Sequence, residues 1–222
     1  MAKRGYNQYC AAARALDLLG ERWTLLLIRE LLTGPKRYTD LLHGLPGIGT
    51  NLLAARLKEL ESAAVIQRRK LPPPAASTVY ELSERGRELE DVVVSLARWG
   101  LPLLGRRGRT QAWQPEWSIL AMRATFRPER AAGINEQYQF EVDGEVFFAQ
   151  VHDGTVITGR GPATDPVFTL RAGADTFLAV ADGTLSAGEA IEAGRYEIDG
   201  DAAAFERCMK IFSLPRPEEA TS

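Results

Sequence analysis

The sequence predicts an α+β protein of two domains, the first mainly helical with a single β-hairpin and the second built on an antiparallel sheet with helices. Three observations lead there. Apolar residues recur every three or four positions over much of the first hundred residues, and every second position in several runs after about residue 137. A short basic stretch, Gly105-Arg106-Arg107-Gly108-Arg109-Thr110-Gln111, separates the two patterns and has the polar composition of an exposed linker. The charge changes sign at the same place. Residues 1–110 carry 18 Lys and Arg against 11 Asp and Glu, net +7, whereas residues 111–222 carry 9 against 18, net −9. The overall charge of −2 conceals this division. The expected boundaries are 1–104, a linker at 105–114, a second domain at 115–214 and a tail at 215–222.

Composition excludes several classes. With 45% hydrophobic and 25% charged residues, and no apolar run approaching the roughly 20 residues that span a bilayer, a soluble protein with no membrane partner is expected. The Ala-rich stretch after Cys10 is broken by Arg14 and Asp17, unlike a secretory signal, so a cytoplasmic location is expected. Cys10 and Cys208 lie at opposite ends of the chain and form no CxxC pair, and His43 and His152 have no partners at metal-ligand spacing. No GxSxG, HExxH or Walker sequence occurs. No catalytic residue, metal or cofactor is therefore expected.

The first domain reads as follows. Leu16, Leu19, Trp23, Leu26, Leu27 and Leu31 mark two amphipathic helices with a break at Gly20. Gly34-Pro35 stops the second, since proline cannot continue the hydrogen-bond ladder. A short helix restarts at Tyr38, and Leu45-Pro46-Gly47-Ile48 makes a turn. From Thr50 to about Glu61, Leu53, Leu57 and Leu60 form a buried stripe, leaving Asn51, Ala54, Ala55 and Lys58 on the opposite face. Residues 65–71 and 78–83 read as two strands joined by a Pro72-Pro73-Pro74 tip stiffened in an extended form, with Arg68, Arg69 and Lys70 loading the first strand. Leu89, Val92, Val93, Leu96 and Trp99 then repeat at helical spacing with little nearby to cover them.

Helix, short helix, turn, helix and basic hairpin is the order of a winged helix-turn-helix, whose second motif helix enters the major groove of DNA. A domain of net charge +7 suits a polyphosphate partner. The candidate DNA-binding residues are Tyr38, Thr39, Thr50, Asn51, Ala54, Ala55, Lys58, Arg68, Arg69 and Lys70, any one of which can equally be a solvated surface residue. Several stretches, among them Gly20-Glu21-Arg22-Trp23-Thr24, Gly34-Pro35-Lys36-Arg37-Tyr38-Thr39-Asp40-Leu41, Leu45-Pro46-Gly47-Ile48 and Tyr80-Glu81-Leu82-Ser83-Glu84-Arg85-Gly86, resemble the HxlR family of bacterial winged-helix regulators, relatives of the MarR group. Gly49 departs from the family's usual Ser at the recognition-helix N-cap, where glycine caps only slightly less well. The resemblance implies a homodimer joined through the terminal helices. Two-fold symmetry then implies a pseudo-palindromic operator in double-stranded DNA.

In the second domain, residues 137–142 and 145–151 alternate on either side of an Asp143-Gly144 turn, and Asp153-Gly154 makes another. Residues 155–158 and 167–170 supply further strands, and residues 175–180, 186–193 and 202–212 read as helices. Tyr138-Gln139-Phe140, Asp182-Gly183-Thr184-Leu185-Ser186 and the run from Glu189 to Asp201 resemble the sterol-carrier-protein type of lipid-binding domain. That resemblance implies an apolar or amphipathic small-molecule ligand. Phe126, Phe140, Phe148, Phe168, Phe177, Phe205, Met209 and Phe212 are either lining for such a ligand or plain core, with core the better-founded use. Gly194, Gly200 and Asp201 read as turn and helix-cap residues.

Cys10, near Lys3, Arg4 and Arg14, is either a small packing residue or a redox sensor, as an N-terminal cysteine is in some HxlR relatives. The chain thus reads as a transcriptional regulator, repressor or activator, controlled by a small hydrophobic effector. The rivals are a metabolite carrier with little DNA binding, a thiol-based regulator acting through Cys10, and an enzyme turning over its ligand.

Overall fold

The computed structural model describes residues 5–105, 107–108 and 110–213. Arg106 and Arg109 of the predicted linker, Lys3 and Arg4 near Cys10, and the predicted tail at 215–222 lie outside the described residues. The chain divides into two compact units, the first ending at Val93 and the second beginning at Val94.

In the first unit, α1 (Ala11–Leu19) and α2 (Thr24–Leu32) are separated by Gly20, as the sequence predicts. After Gly34-Pro35 come α3 (Tyr38–Gly44) and α4 (Thr50–Ser62). The hairpin β1 (Ile66–Lys70) and β2 (Thr78–Leu82) pairs Ile66 with Leu82 and Lys70 with Thr78, and α5 (Glu84–Arg87) follows at once. Leu27, Ile28, Leu41, Leu45, Leu53, Leu57 and Leu60 form the buried centre, drawn from four segments whose apolar residues share a helical face or point inward from the turn. Ser83 closes the hairpin onto the helices. Its hydroxyl donates to the Ala64 carbonyl at 2.6 Å and accepts from the Gly86 N–H at 3.0 Å. Helix α6 (Glu90–Gly100) carries the division between the units, so the division falls upstream of residues 105–114.

The wing tip is not extended. Residues 73–75 form a turn, and the Ala76 N–H donates to the Pro72 carbonyl at 3.2 Å. Antiparallel strands must reverse within this short segment, and that demand overrides the extended preference of a proline run.

The second unit holds α7 (Ser118–Thr125), β3 (Asn135–Val142), β4 (Glu145–His152), β5 (Thr155–Arg160), β6 (Phe168–Ala172), α8 (Ala174–Ala181), α9 (Ala187–Glu192), β7 (Tyr196–Gly200) and α10 (Ala202–Ile211). The five strands lie in the order β5-β4-β3-β6-β7. Every pair is antiparallel except β3 and β6, so the predicted antiparallel sheet is mixed at one place. The cause is the connection between β5 and β6. It carries the chain past two strands, about 14 Å at ~4.8 Å per strand, within the ~23 Å reach of seven extended residues. Two glutamines of β3 hold it down: Gln139 Oε1 accepts from the Ala163 N–H and Gln137 Oε1 from the Thr164 N–H, both at 3.1 Å.

Tyr138, Phe140 and Val142 lie on one face of β3 and pack with Phe147, Ala149, Phe168, Leu170, Phe177 and Phe205. Three contributions tie the helices to that face. Phe205, Cys208 and Ile211 form the buried side of α10, while Asp201 caps its start by accepting from the Ala203 N–H. Thr158 donates to the Ile119 carbonyl and accepts from Arg123 Nε, fixing α7 on β5. Arg98 donates to the Ala124 and Arg123 carbonyls, the open end of α7. Two residues of the predicted linker, one near each end, make contacts within the second unit. Trp113 stacks on Phe177 with centroids 6.1 Å apart, and Arg107 pairs with Asp175 at 2.9 Å.

Candidate nucleic-acid interface

Helix α4 turns Leu53, Leu57 and Leu60 inward and leaves Thr50, Asn51, Ala54, Ala55 and Lys58 exposed, as the spacing predicts. Short Ala54 and Ala55 between an amide and an ammonium make a face slim enough for a groove. Gly49 caps the helix with backbone at φ −78°, in the β region, and supplies no side-chain hydrogen bond. Tyr38 makes a separate tie: its hydroxyl donates to the Thr50 carbonyl at 2.8 Å, joining α3 to the start of α4. The Tyr38 proton is thereby committed within the protein, which makes it a residue that orients α4. Thr39 is exposed beside it. The first turn of α3 is fixed by Asp40, whose carboxylate accepts from the Arg37 N–H at 2.9 Å. Arg56 is half-buried and spans Glu21, at 2.9 Å, and Glu59, holding α4 to the segment between α1 and α2.

Beneath the motif lies a charged cluster that periodicity could not reveal. Glu30 is 0% exposed and bonded to Arg29 Nη2 at 2.6 Å, with Lys36 Nζ 3.3 Å from its other oxygen. A Cβ placed on Gly44 would stand 2.5 Å from Glu30 Oε2, so only glycine lets the end of α3 close over this carboxyl. Lys36 also exchanges two backbone hydrogen bonds with Tyr80, stitching the approach to α3 onto the hairpin.

Arg68, Arg69 and Lys70 are all exposed on β1. Arg68 lies over the Tyr80 ring, 5.4 Å from its centroid, and donates to Glu61 at 2.9 Å. Arg69 Nε donates to Glu81 at 2.8 Å, and Gln67 donates to the other oxygen of Glu81 at 2.9 Å. The Arg69 bond, then that of Gln67, holds the Glu81 carboxyl below the usual carboxylate range. Glu61, Tyr80 and Glu81 are partners of the basic residues that their spacing in the sequence does not single out. Their signal was available only through register: once Ile66 faces Leu82, Gln67 must face Glu81 and Arg68 must face Tyr80.

Comparison with known proteins agrees with this architecture. Residues 18–107 match the family described as HxlR-like helix-turn-helix. The HTH-type transcriptional regulator YodB of Bacillus subtilis (strain 168) is 39% identical over 85 residues, covering 38% of this chain and 76% of the relative. The chain belongs to the HxlR-like helix-turn-helix family. The uncharacterized HTH-type transcriptional regulator sll1512 of Synechocystis sp. (strain ATCC 27184 / PCC 6803 / Kazusa) is 36% identical over 91 residues, 41% of this chain and 67% of that one. The solved reduced form of YodB from B. subtilis shares 36% identity and covers 42% of this chain and 92% of its own, with a TM-score of 0.38. As an HxlR-type protein, the chain is a DNA-binding transcriptional regulator with a winged helix-turn-helix. Residues 120–213 match a second family, described as SCP-2 sterol transfer, so this HxlR-type chain carries an SCP-2 domain as well.

In that SCP-2 domain, most of the residues weighed as ligand lining are packed core. Phe140 stacks on Phe147 at 5.2 Å, Phe168 meets Phe205 at 5.7 Å, and Phe126 meets Phe212 at 5.8 Å. Phe148 does not join them. It pairs across the sheet with Gly159 and faces away from Phe147, because neighbouring strand residues point to opposite faces. Met209 is exposed on α10. A recess of about 380 Å3, lined by Arg130, Ile134, Arg207 and Lys210, opens beside α10. Arg207 there is held by Glu136 at 2.6 Å and Asp201 at 3.3 Å. Cys208 is buried, and that burial pushes its thiol well above the usual range, whereas Cys10 is exposed at the start of α1.

Proposed function

We propose that this HxlR-type regulator acts as a homodimer on a pseudo-palindromic operator, under the control of an apolar or amphipathic small molecule held by its C-terminal domain. In this reading the DNA-binding and dimerising domain runs over 1–104, past the compact division inside α6, and the 105–114 linker joins it to a ligand domain at 115–214. DNA is contacted through Thr39, Thr50, Asn51, Ala54, Ala55 and Lys58 and through Arg68, Arg69 and Lys70 of the wing, with Tyr38 orienting α4. The observation that carries the dimer is the row of exposed apolar side chains along α6, Val92, Leu96 and Trp99, at spacings of four and three that put them on one face. Leaving such a row in water is unfavourable, and a second copy covers it without any further partner. The match to a sterol transfer family supports an apolar ligand, and a ligand can shift DNA binding only by preferring one spacing of the dimer over another. We read the chain as a regulator and not an enzyme, in line with its named relatives.

Native mass spectrometry of the full chain tests this reading. The expected species is twice the 24.4 kDa chain mass, carrying a small molecule that organic extraction removes. A monomer at all concentrations would remove the dimer, and an apo dimer insensitive to extracted cell lipid would remove the ligand.

A second reading, thiol control through Cys10, is favoured by the exposure of that residue. Oxidant or quinone treatment should then change the DNA affinity of the wild type and leave Cys10→Ser unaltered. Equal responses from the two proteins would dismiss it.

A further inference from the structure

The wing keeps an acidic residue among its basic ones. Glu81 faces Gln67 across the hairpin, and its two oxygens accept one bond each, from Gln67 Nε2 and Arg69 Nε. A carboxylate on a surface made for phosphates repels the partner. Its contribution to folding is modest, since the Arg69 end of the pair is 45% exposed although the Glu81 end is 12% exposed. What the pair does supply is direction. Arg69 is engaged through Nε, and its two Nη groups carry no hydrogen bond among the described residues. The outer side of a planar five-donor fork is thus presented while the long stem, among the most mobile of side chains, is fixed. Arg68 on the other face of the hairpin is held in a comparable way by Glu61 and the Tyr80 ring.

We propose that Glu81 is a positioning residue for DNA recognition, clamping Arg69 at Nε so that its Nη groups meet the duplex in a single orientation. The acid then strengthens sequence-specific binding although its charge opposes binding in general. This rests on the wing contacting DNA, as proposed above. The clamp and the charge make opposite forecasts. If charge alone matters, Glu81→Ala and Glu81→Gln tighten binding to every duplex alike. If the clamp matters, Glu81→Ala loosens the specific complex and Glu81→Gln, which keeps an acceptor for Nε, loosens it less.

The test uses the full chain, the duplex recovered by selection from random DNA, and a random duplex as control, with melting curves to verify folding. Glu81→Ala should bind the selected duplex about tenfold more weakly, the loss expected for one well-placed arginine contact. Its affinity for the random duplex should hold or rise. Arg69→Ala should lose as much, and the double variant little more than either. Selected-duplex affinity that is unchanged or raised in Glu81→Ala, or losses that add in the double variant, would overturn the clamp. Should Glu81→Ala fail to fold, the same comparison passes to Glu81→Gln against Arg69→Lys, where an unweakened Glu81→Gln overturns the proposal. If Arg69→Ala binds like wild type, the wing contact itself is refuted, a different failure from that of the clamp.

Discussion

A carboxyl group sealed from water, like that of Glu30, has to find its partners inside the protein, and here they come from Arg29 on the same helix and Lys36 beyond its end. Removing Lys36 strips the sealed Glu30 carboxyl of one of its two cations and leaves it only partly compensated, a loss that can reach about 3–5 kcal/mol when a buried pair is broken. Lys36→Ala should therefore lower the melting temperature of the N-terminal unit sharply. Glu30→Leu combined with Lys36→Met, which replaces the pair by apolar volume, should recover much of the loss in the same thermal denaturation series. Recovery would show that the cluster fixes how α3 closes over α2 more than it adds stability. A double variant as unstable as Lys36→Ala would argue that the ion pair itself is stabilising. Single residues on α4 were legible at this scale because a helix converts spacing into direction: with Leu53, Leu57 and Leu60 inward, Asn51 and Lys58 could only face out. Glu30 was not legible, since its neighbours in sequence read as an ordinary charged stretch between apolar residues.

The elements divide in the same manner. Helices α1 to α4 and α6 announced themselves through a period that a single segment can display by itself. Hairpins were as plain wherever the turn chemistry was explicit: Asp143 and Gly144 both adopt positive φ, at 48° and 82°, the geometry that joins two twisted strands in two residues. What escaped was whatever depends on a partner distant in sequence. The parallel pairing of β3 with β6 is set by a seven-residue connection that has no period of its own, and only the glutamines that receive it explain its course. Helix α7 escaped as well. Its buried Ile119, Leu120 and Met122 follow a proline and a tryptophan and precede Arg127-Pro128, so the apolar stretch was too short to show a period. In the wing, the strands and the basic residues were readable, but not their acidic partners, because pairing across a hairpin is fixed by how its tip closes and the tip departed from its predicted form.

At the scale of the whole molecule, residues 1–110 and 111–222 keep opposite charge: a basic half that holds the helix-turn-helix is followed by an acidic one. Such a division suits the proposed arrangement, in which the second half answers to another class of ligand. The uncovered row on α6 has an optical consequence. Four tryptophans are present, and Trp99 is 71% exposed whereas Trp23, Trp113 and Trp117 are half-buried. Indole emission shifts to longer wavelength in water, so Trp99 should dominate the red edge of the spectrum in the separated chain and lose that contribution when a second copy covers it. Diluting the protein through its association range should move the emission maximum to the red, and Trp99→Phe should silence the change. A spectrum that ignores dilution while the mass halves would place Trp99 outside the contact and leave Val92 and Leu96 to be covered without it. A side chain left in water thus becomes a built-in fluorophore for assembly, with no label needed.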